Sequence, residues 1–278
     1  MNAMHSFDAY SPSEIAQRVH EACLLKGRLS FLQLAMLGIL AGAFIGLGAL
    51  YYVIVVSDPH LGFAMQRVLG GVVFSLGLLL VIVAGAELFT GNNLLAMGWA
   101  DGGISTRALL YNWVVVCTAN FIGAAGLALV VFLSGHAEMN DGAIGKTYLQ
   151  IAAAKSALSF QEAFFRGVLC NVLVCLAVWM TLAGRSVTDK FFASVLPISA
   201  FVAAGFEHSI ANMYFLPLAM MLQASAGQTV EYAVLWRNLV PVIAGNLVGG
   251  SVLVALVYYV IYRRTASVHS TSEPDRTP

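Results

Sequence analysis

Charge is scarce in this chain. Lys, Arg, Asp and Glu together make up 10% of its 278 residues, and 59% are hydrophobic. Soluble domains carry about 25% charged residues, so a mean hydropathy of +0.82 places the chain in a bilayer. The net charge is zero and the cations are scattered. That excludes the basic patch a nucleic-acid binder needs. Cysteine is also sparse. Cys23, Cys117, Cys170 and Cys175 lack metal-ligand spacing, and three of them lie in apolar runs, so they read as small packing residues. No Gly-x-Ser-x-Gly elbow and no His-Glu-x-x-His pair is present, and neighbouring side chains such as His208 and Ser209 diverge by about 100 degrees on a helix. Hydrolysis is therefore not expected, and neither is a metal centre or a cofactor. Residues 1–28 hold no early apolar run, so no signal peptide is expected.

What is present is a set of six apolar segments, each near the 20 or so residues that span a bilayer. They cover about 31–56, 68–85 resuming to 99, 108–133, 167–183, 191–206 resuming to 222, and 239–262. Before them, Ile15, Val19, Cys23 and Leu24 recur at helical spacing behind Ser11, Pro12 and Ser13. This predicts an amphipathic helix within 1–28, on the membrane surface, or else a solvated leader. The spans make one domain over 29–262. The polar tail, 263–278, is expected to be disordered. An even span count puts both termini on one side. That side collects Arg18, Lys26, Arg28, Arg107, Arg185, Lys190, Arg263, Arg264 and Arg276, against Arg67, Lys146, Lys155, Arg166 and Arg237 opposite. The excess predicts cytoplasmic termini.

Two segments are interrupted alike. Gly85-Ala86-Glu87-Leu88-Phe89-Thr90-Gly91-Asn92 shares its Gly, Glu and Asn with Gly205-Phe206-Glu207-His208-Ser209-Ile210-Ala211-Asn212 at a shift of 120. Asn120-Phe121-Ile122-Gly123 is matched by Asn246-Leu247-Val248-Gly249, and Gly38-Ile39-Leu40 by Gly167-Val168-Leu169. The chain thus reads as two three-helix halves. An odd number of spans per half turns the second upside down. Inverted repeats with broken helices in matching places mark a transport pathway near the bilayer midplane.

Ionisable groups at that depth cost a few kcal/mol, so Glu87, Glu207 and His208 are expected to be used. The carboxylates are expected to accept hydrogen bonds from backbone exposed at the breaks. Thr90 offers a hydroxyl at the first break, and His208, the one histidine inside a span, a ring nitrogen at the second. Half-helix N-termini favour an anion between them. Phe74, Leu78, Leu88 and Phe201 flank the breaks, either as dry constrictions or as ordinary packing.

On these two octets, and on Asn171-Val172-Leu173-Val174-Cys175-Leu176-Ala177-Val178-Trp179-Met180 with Gly184-Arg185-Ser186 and Asp189-Lys190, the sequence resembles the formate/nitrite transporter family, most of all its formate-channel branch. The resemblance runs from Phe31 to Tyr262. It implies an all-helical, aquaporin-like protomer with helices two and five broken, a homopentamer in the inner membrane, and one pore per protomer. It implies that His208 faces Thr90, that Lys155 and Asn171 lie in a vestibule, that Asn212 lines the pore, and that Phe74, Leu78, Leu88 and Phe201 form its constrictions. The expected substrate is a small monovalent anion, formate first, with nitrite or hydrosulfide as alternatives. A neutral-solute or water channel of the same architecture is the rival. An anion entering a dry constriction gains proton affinity. Lys155 is therefore expected to act on entry and His208 to pass a proton to formate while Thr90 orients it. The alternatives are a His208 that only binds, and a proton that comes from water.

Overall fold

A computed structural model describes residues 9–264. The expected disordered tail lies outside the described residues beyond Arg264. Among the described residues, six helices are long and apolar enough to cross a membrane: Phe31–Val56, Phe63–Gly85, Thr106–Leu133, Phe160–Ala183, Val187–Ala204 and Ala233–Arg264. The fourth starts seven residues earlier than its apolar run, because Ser159 and Glu162 close a reciprocal capping box that carries the helix through a polar turn. Two half-helices complete the second and fifth spans. One runs through Gly91–Leu94 and Leu95–Ala100, the other through Ser209–Ser225.

The N-terminal helix, Pro12–Lys26, begins as its sequence predicts. Ser11 accepts from the Glu14 amide, Glu14 answers the Ser11 amide at 2.7 Å, and Pro12 occupies the first turn. Its apolar face packs on the protein. Ile15, Ala16, Val19 and Cys23 are buried against Leu94, Leu95, Ala96 and Met97. The first break shortens its second half-helix, and the N-terminal helix covers the apolar face left there. Burial pushes the Cys23 thiol up to about 11, which makes it an inert packing atom.

A second surface helix, Ala143–Ser156, precedes the fourth span as Pro12–Lys26 precedes the first. Each half is therefore a surface helix, a span, a broken span and a span. Lys26 and Lys155 end the two surface helices, and Ser30 and Ser159 open the spans that follow, each four residues after its lysine and each with a capping box.

The halves close through glycine. A Cβ on Gly123 would overlap the Ile39 carbonyl, and one on Gly249 the Val168 carbonyl. The small-residue patterns shared by the spans thus meet one another, backbone against backbone. Gly123→Ala and Gly249→Ala should each lower the thermal transition of the detergent-solubilised protein, by an overpacking cost of about 1–3 kcal/mol. Gly126→Ala, whose Cβ meets nothing within 4 Å, should leave it unchanged.

Candidate functional site

Both breaks begin at a glycine in the left-handed region, Gly85 at φ +82 and Gly205 at φ +74. The chain then runs extended before the second half-helix starts. Exposed backbone at membrane depth needs partners, and one asparagine from the third span of each half supplies them. Asn120 Oδ1 accepts from Phe89 N at 2.9 Å, and its Nδ2 donates to the Gly38 and Glu87 carbonyls at 2.8 and 2.9 Å. Asn246 does the same one repeat later. Its Oδ1 accepts from Ser209 N at 3.0 Å, and its Nδ2 donates to the Gly167 and Glu207 carbonyls at 2.8 and 3.0 Å. The amides of Glu87 and Glu207 reach the Leu37 and Arg166 carbonyls, both at 3.2 Å.

The carboxylates are therefore free for another task, which corrects the expectation that they serve the backbone. Glu87 pairs with Lys26 at 3.0 Å and accepts from Asn92 Nδ2 at 2.7 Å. Glu207 pairs with Lys155 at 2.9 Å and accepts from Asn212 Nδ2 at 2.6 Å. Behind these, Asn92 and Asn212 donate to Asn112 and Asn238. Both carboxylates are nearly fully buried, 6% and 4% exposed, and a buried charge is tolerated when paired and hydrogen-bonded.

The repeats part company at the centre. His208 stands where the first break has Leu88, and Thr90 where the second has Ile210. His208 Nε2 and Thr90 Oγ1 lie 3.0 Å apart, both buried. His208 also caps the half-helix Ser209–Ser225, its Nδ1 accepting from Ala211 N at 3.1 Å. A nitrogen that accepts carries no hydrogen, so the neutral ring holds its proton on Nε2, aimed at Thr90.

Beside His208 is a cavity of about 10 Å³, walled by Ile45, Phe74, Leu78, Leu88, Val174, Ile198, Phe201 and His208. That is room for about one water. Two larger cavities flank it. One, of about 460 Å³, is lined by the N-terminal helix, Lys26, Glu87, Asn92, Leu78 and Leu88. The other, of about 190 Å³, is lined by Lys155, Glu207, Arg67, Arg166, Phe74, Phe201 and His208. Leu78 and Leu88 thus separate the centre from the Lys26 side, and Phe74 and Phe201 from the Lys155 side. The phenyl rings meet edge to face with centroids 5.8 Å apart, and Phe201 stacks on His208 at 5.8 Å.

A family profile described as Formate/nitrite transporter matches residues 13–260. The chain belongs to the formate/nitrite transporter family. It is 38% identical to the formate channel FocA of Escherichia coli strain K12 over 285 residues, covering 97% of this chain and all of FocA. It superposes on a pentameric formate channel with formate bound at a TM-score of 0.77 and 37% identity, covering 84% of this chain and 97% of that one. An aquaglyceroporin from Plasmodium falciparum shares the fold alone, at a TM-score of 0.54 and 14% identity over 86% of this chain and all of that one. The aquaporin-like protomer that the resemblance implied is therefore this family's fold.

Within the family's fold, two expected site residues sit elsewhere than the resemblance implied. Asn171 is fully buried behind the pore wall rather than in a vestibule. Its Nδ2 donates to the Thr90 and Asn246 carbonyls and to Asn93 Oδ1, at 3.2, 2.7 and 3.0 Å. Asn212 is likewise fully buried and holds Glu207 instead of lining the Lys155-side cavity. Both shifts have one cause: a short amide is most valuable where a loop backbone or a carboxylate would otherwise go unpaired. Lys26, Asn112, Asn120, Asn238 and Asn246 were not singled out as site residues. Asn120 and Asn246 carried a signal, since they head the pattern shared by spans three and six. Lys26 and Lys155 share the four-residue distance to the next capping serine.

The asparagine braces give a direct test. Asn246→Leu leaves Ser209 N and the Glu207 carbonyl unpaired at about 1–3 kcal/mol each. Hydrogen exchange at the Ser209 amide should rise by orders of magnitude and the thermal transition should fall, with Asn120→Leu doing the same at Phe89. Unchanged protection at those amides would show that the loops hold themselves.

Proposed function

We propose that this protein is a membrane channel for small monovalent anions, with formate as its principal substrate and nitrite or hydrosulfide as lesser ones. One observation carries the reading. A histidine in contact with a buried threonine lines a dry cavity between two apolar constrictions, and each constriction opens to a cavity holding a lysine. The likeness to formate channels supports the choice of substrate, and the likeness to a pentameric one supports a homopentamer. The lysine and arginine excess supports cytoplasmic termini in an inner membrane. The cavity beside the N-terminal helix is then the cytoplasmic mouth.

The geometry supports a sequence of events. An anion meets Lys155 or Lys26 at a mouth. The central cavity has no room for a hydration shell, so entry strips water and raises the anion's proton affinity. Formate ordinarily titrates near carboxylates, about 4. Its charged form faces a barrier of several kcal/mol in the constriction, and formic acid a far lower one. Thr90 and His208 then hold the substrate's oxygens.

The cap at Nδ1 bears on His208's part. A doubly protonated ring cannot accept from Ala211 N and would lose a cap worth about 1 kcal/mol. The neutral ring has no proton to give without becoming an anion. What this supports is His208 as a hydrogen-bond donor through Nε2–H, with the proton arriving from water in the vestibule. A rival neutral-solute channel would leave the paired lysine–carboxylate groups at both mouths unexplained.

Flux of formate into proteoliposomes tests the reading. His208→Phe should abolish it while the pentamer still assembles. His208→Asn keeps a capping oxygen and a donor but has no titrating proton, and it should retain flux that still rises as pH falls. Loss of the pH-dependent part in His208→Asn, with anion flux persisting, would instead make His208 the proton relay. Transport of water or glycerol alone would favour the rival channel. Cysteine labels at His60 and Lys190 should react from opposite faces, and labelling from one face would reject the topology.

A further inference from the structure

One cavity lies to the side of the pore. It measures about 450 Å³, and Lys26, Gly27, Ser105, Arg107, Tyr111 and Asn112 are among its walls. A volume of that order is typical of small-molecule sites. It stands where the N-terminal helix ends and where spans one and three begin. No Asp or Glu lines it. Arg107 is exposed at its rim, and so is Arg28, which lies between the lining residues Gly27 and Leu29. Lys26 is neutralised by Glu87 and also held by Asn92, so the arginines set the sign of the cavity. Ser30 and Ser105 cap the two spans there, and the positive ends of two long helices add to a field that favours an anion.

A buried donor points to a ligand in this place. Asn112 is 2% exposed. Its Oδ1 accepts from Asn92 Nδ2 at 2.9 Å, but its Nδ2 has no partner among the described residues. The other half of the chain closes the equivalent bond internally: Asn238 Nδ2 donates to the Lys155 carbonyl at 3.0 Å. In the first half the Lys26 carbonyl accepts from the Leu29 amide instead, and Asn112 keeps a donor beside the cavity. At the shift that relates Asn112 to Asn238, the residue matching Arg107 is Ala233. The cation and the unpaired donor thus occur together in one half and are both missing from the other, so the shared scaffold does not require them.

Below the rim the spans turn apolar side chains outward. Leu110, Tyr111 and Val114 follow Arg107 on one face of span three, and Leu32, Met36 and Leu40 recur every fourth residue on span one; all are exposed. We propose that this cavity binds the phosphate of an anionic phospholipid from the leaflet on the Lys26 face. Arg107 and Arg28 supply the charge, Asn112 Nδ2 donates to a phosphate oxygen, and the outward residues of spans one and three meet the acyl chains. Basic pockets between spans at a membrane surface recognise such headgroups, and the planar fork of arginine suits phosphate. The proposal does not depend on which ion the pore passes.

Native mass spectrometry of the intact assembly tests it, with phosphatidylglycerol and phosphatidylcholine of matched chains added in detergent. The wild type should retain one phosphatidylglycerol per protomer at concentrations where phosphatidylcholine is lost. Arg107→Gln should weaken that retention about fivefold, and Arg107→Lys should keep most of it. Lys146→Gln removes an exposed cation from the opposite face and should change nothing. Equal retention of the two lipids by the wild type overturns the proposal even if the glutamine variant does not assemble. Equal weakening by Arg107→Gln and Lys146→Gln overturns it too, since diffuse attraction rather than a site would then be at work. Displacement of phosphatidylglycerol by an equal concentration of inorganic phosphate would assign the cavity to a free anion and overturn the lipid as its occupant.

Discussion

Everything at the centre of this protein depends on one constraint: a helix broken inside a bilayer exposes backbone that lipid cannot satisfy. Asn120 and Asn246 meet that constraint with the same three hydrogen bonds, one accepted and two donated. Each ties a loop to the carbonyl of a glycine on the neighbouring span. That glycine lets the helices approach, and the approach brings the asparagine within reach. Close packing and polar satisfaction are here the same fact. With the loops fixed, the second half-helix of each pair starts in a defined place, and His208 and Thr90 meet across the axis at hydrogen-bond distance.

A repeat explains the scaffold, and departures from it explain the chemistry. Symmetry supplies two lysines, two carboxylates and two bracing asparagines. A pore with perfect symmetry would have leucine facing isoleucine, or histidine and threonine twice, at its centre. The chain instead puts His208 against Leu88 and Thr90 against Ile210. Four positions then hold one donor–acceptor pair and two apolar neighbours, so a single substrate oxygen finds partners while its surroundings stay dry. The constrictions divide the same way, aromatic on one side and aliphatic on the other.

Much of this was legible in residue order because the bilayer limits the options. The spans, the inverted halves and the two breaks follow from apolar length and from Gly-x-Glu repeated at a fixed shift. Legibility stopped where the partner is distant. Nothing local says that Lys26 reaches Glu87, 61 residues away, or that Lys155 reaches Glu207 across 52. The helix Ala143–Ser156 escaped notice because it is short and only weakly apolar. Its equivalence to Pro12–Lys26 shows only once both lysines are seen against their carboxylates. Asn171 and Asn212 were placed by resemblance alone, and their Nδ2 groups prove to be committed inside the protein while each Oδ1 is buried without a partner among the described residues.

The surface helices therefore have a role beyond covering apolar surface. Each carries its lysine to a mouth on the last turn, where a cation is favoured by the helix dipole, and holds it against a carboxylate that would be intolerable alone. The pairing works in both directions. Each glutamate fixes its lysine at the pore entrance, and each lysine lets the glutamate stay buried beside the break.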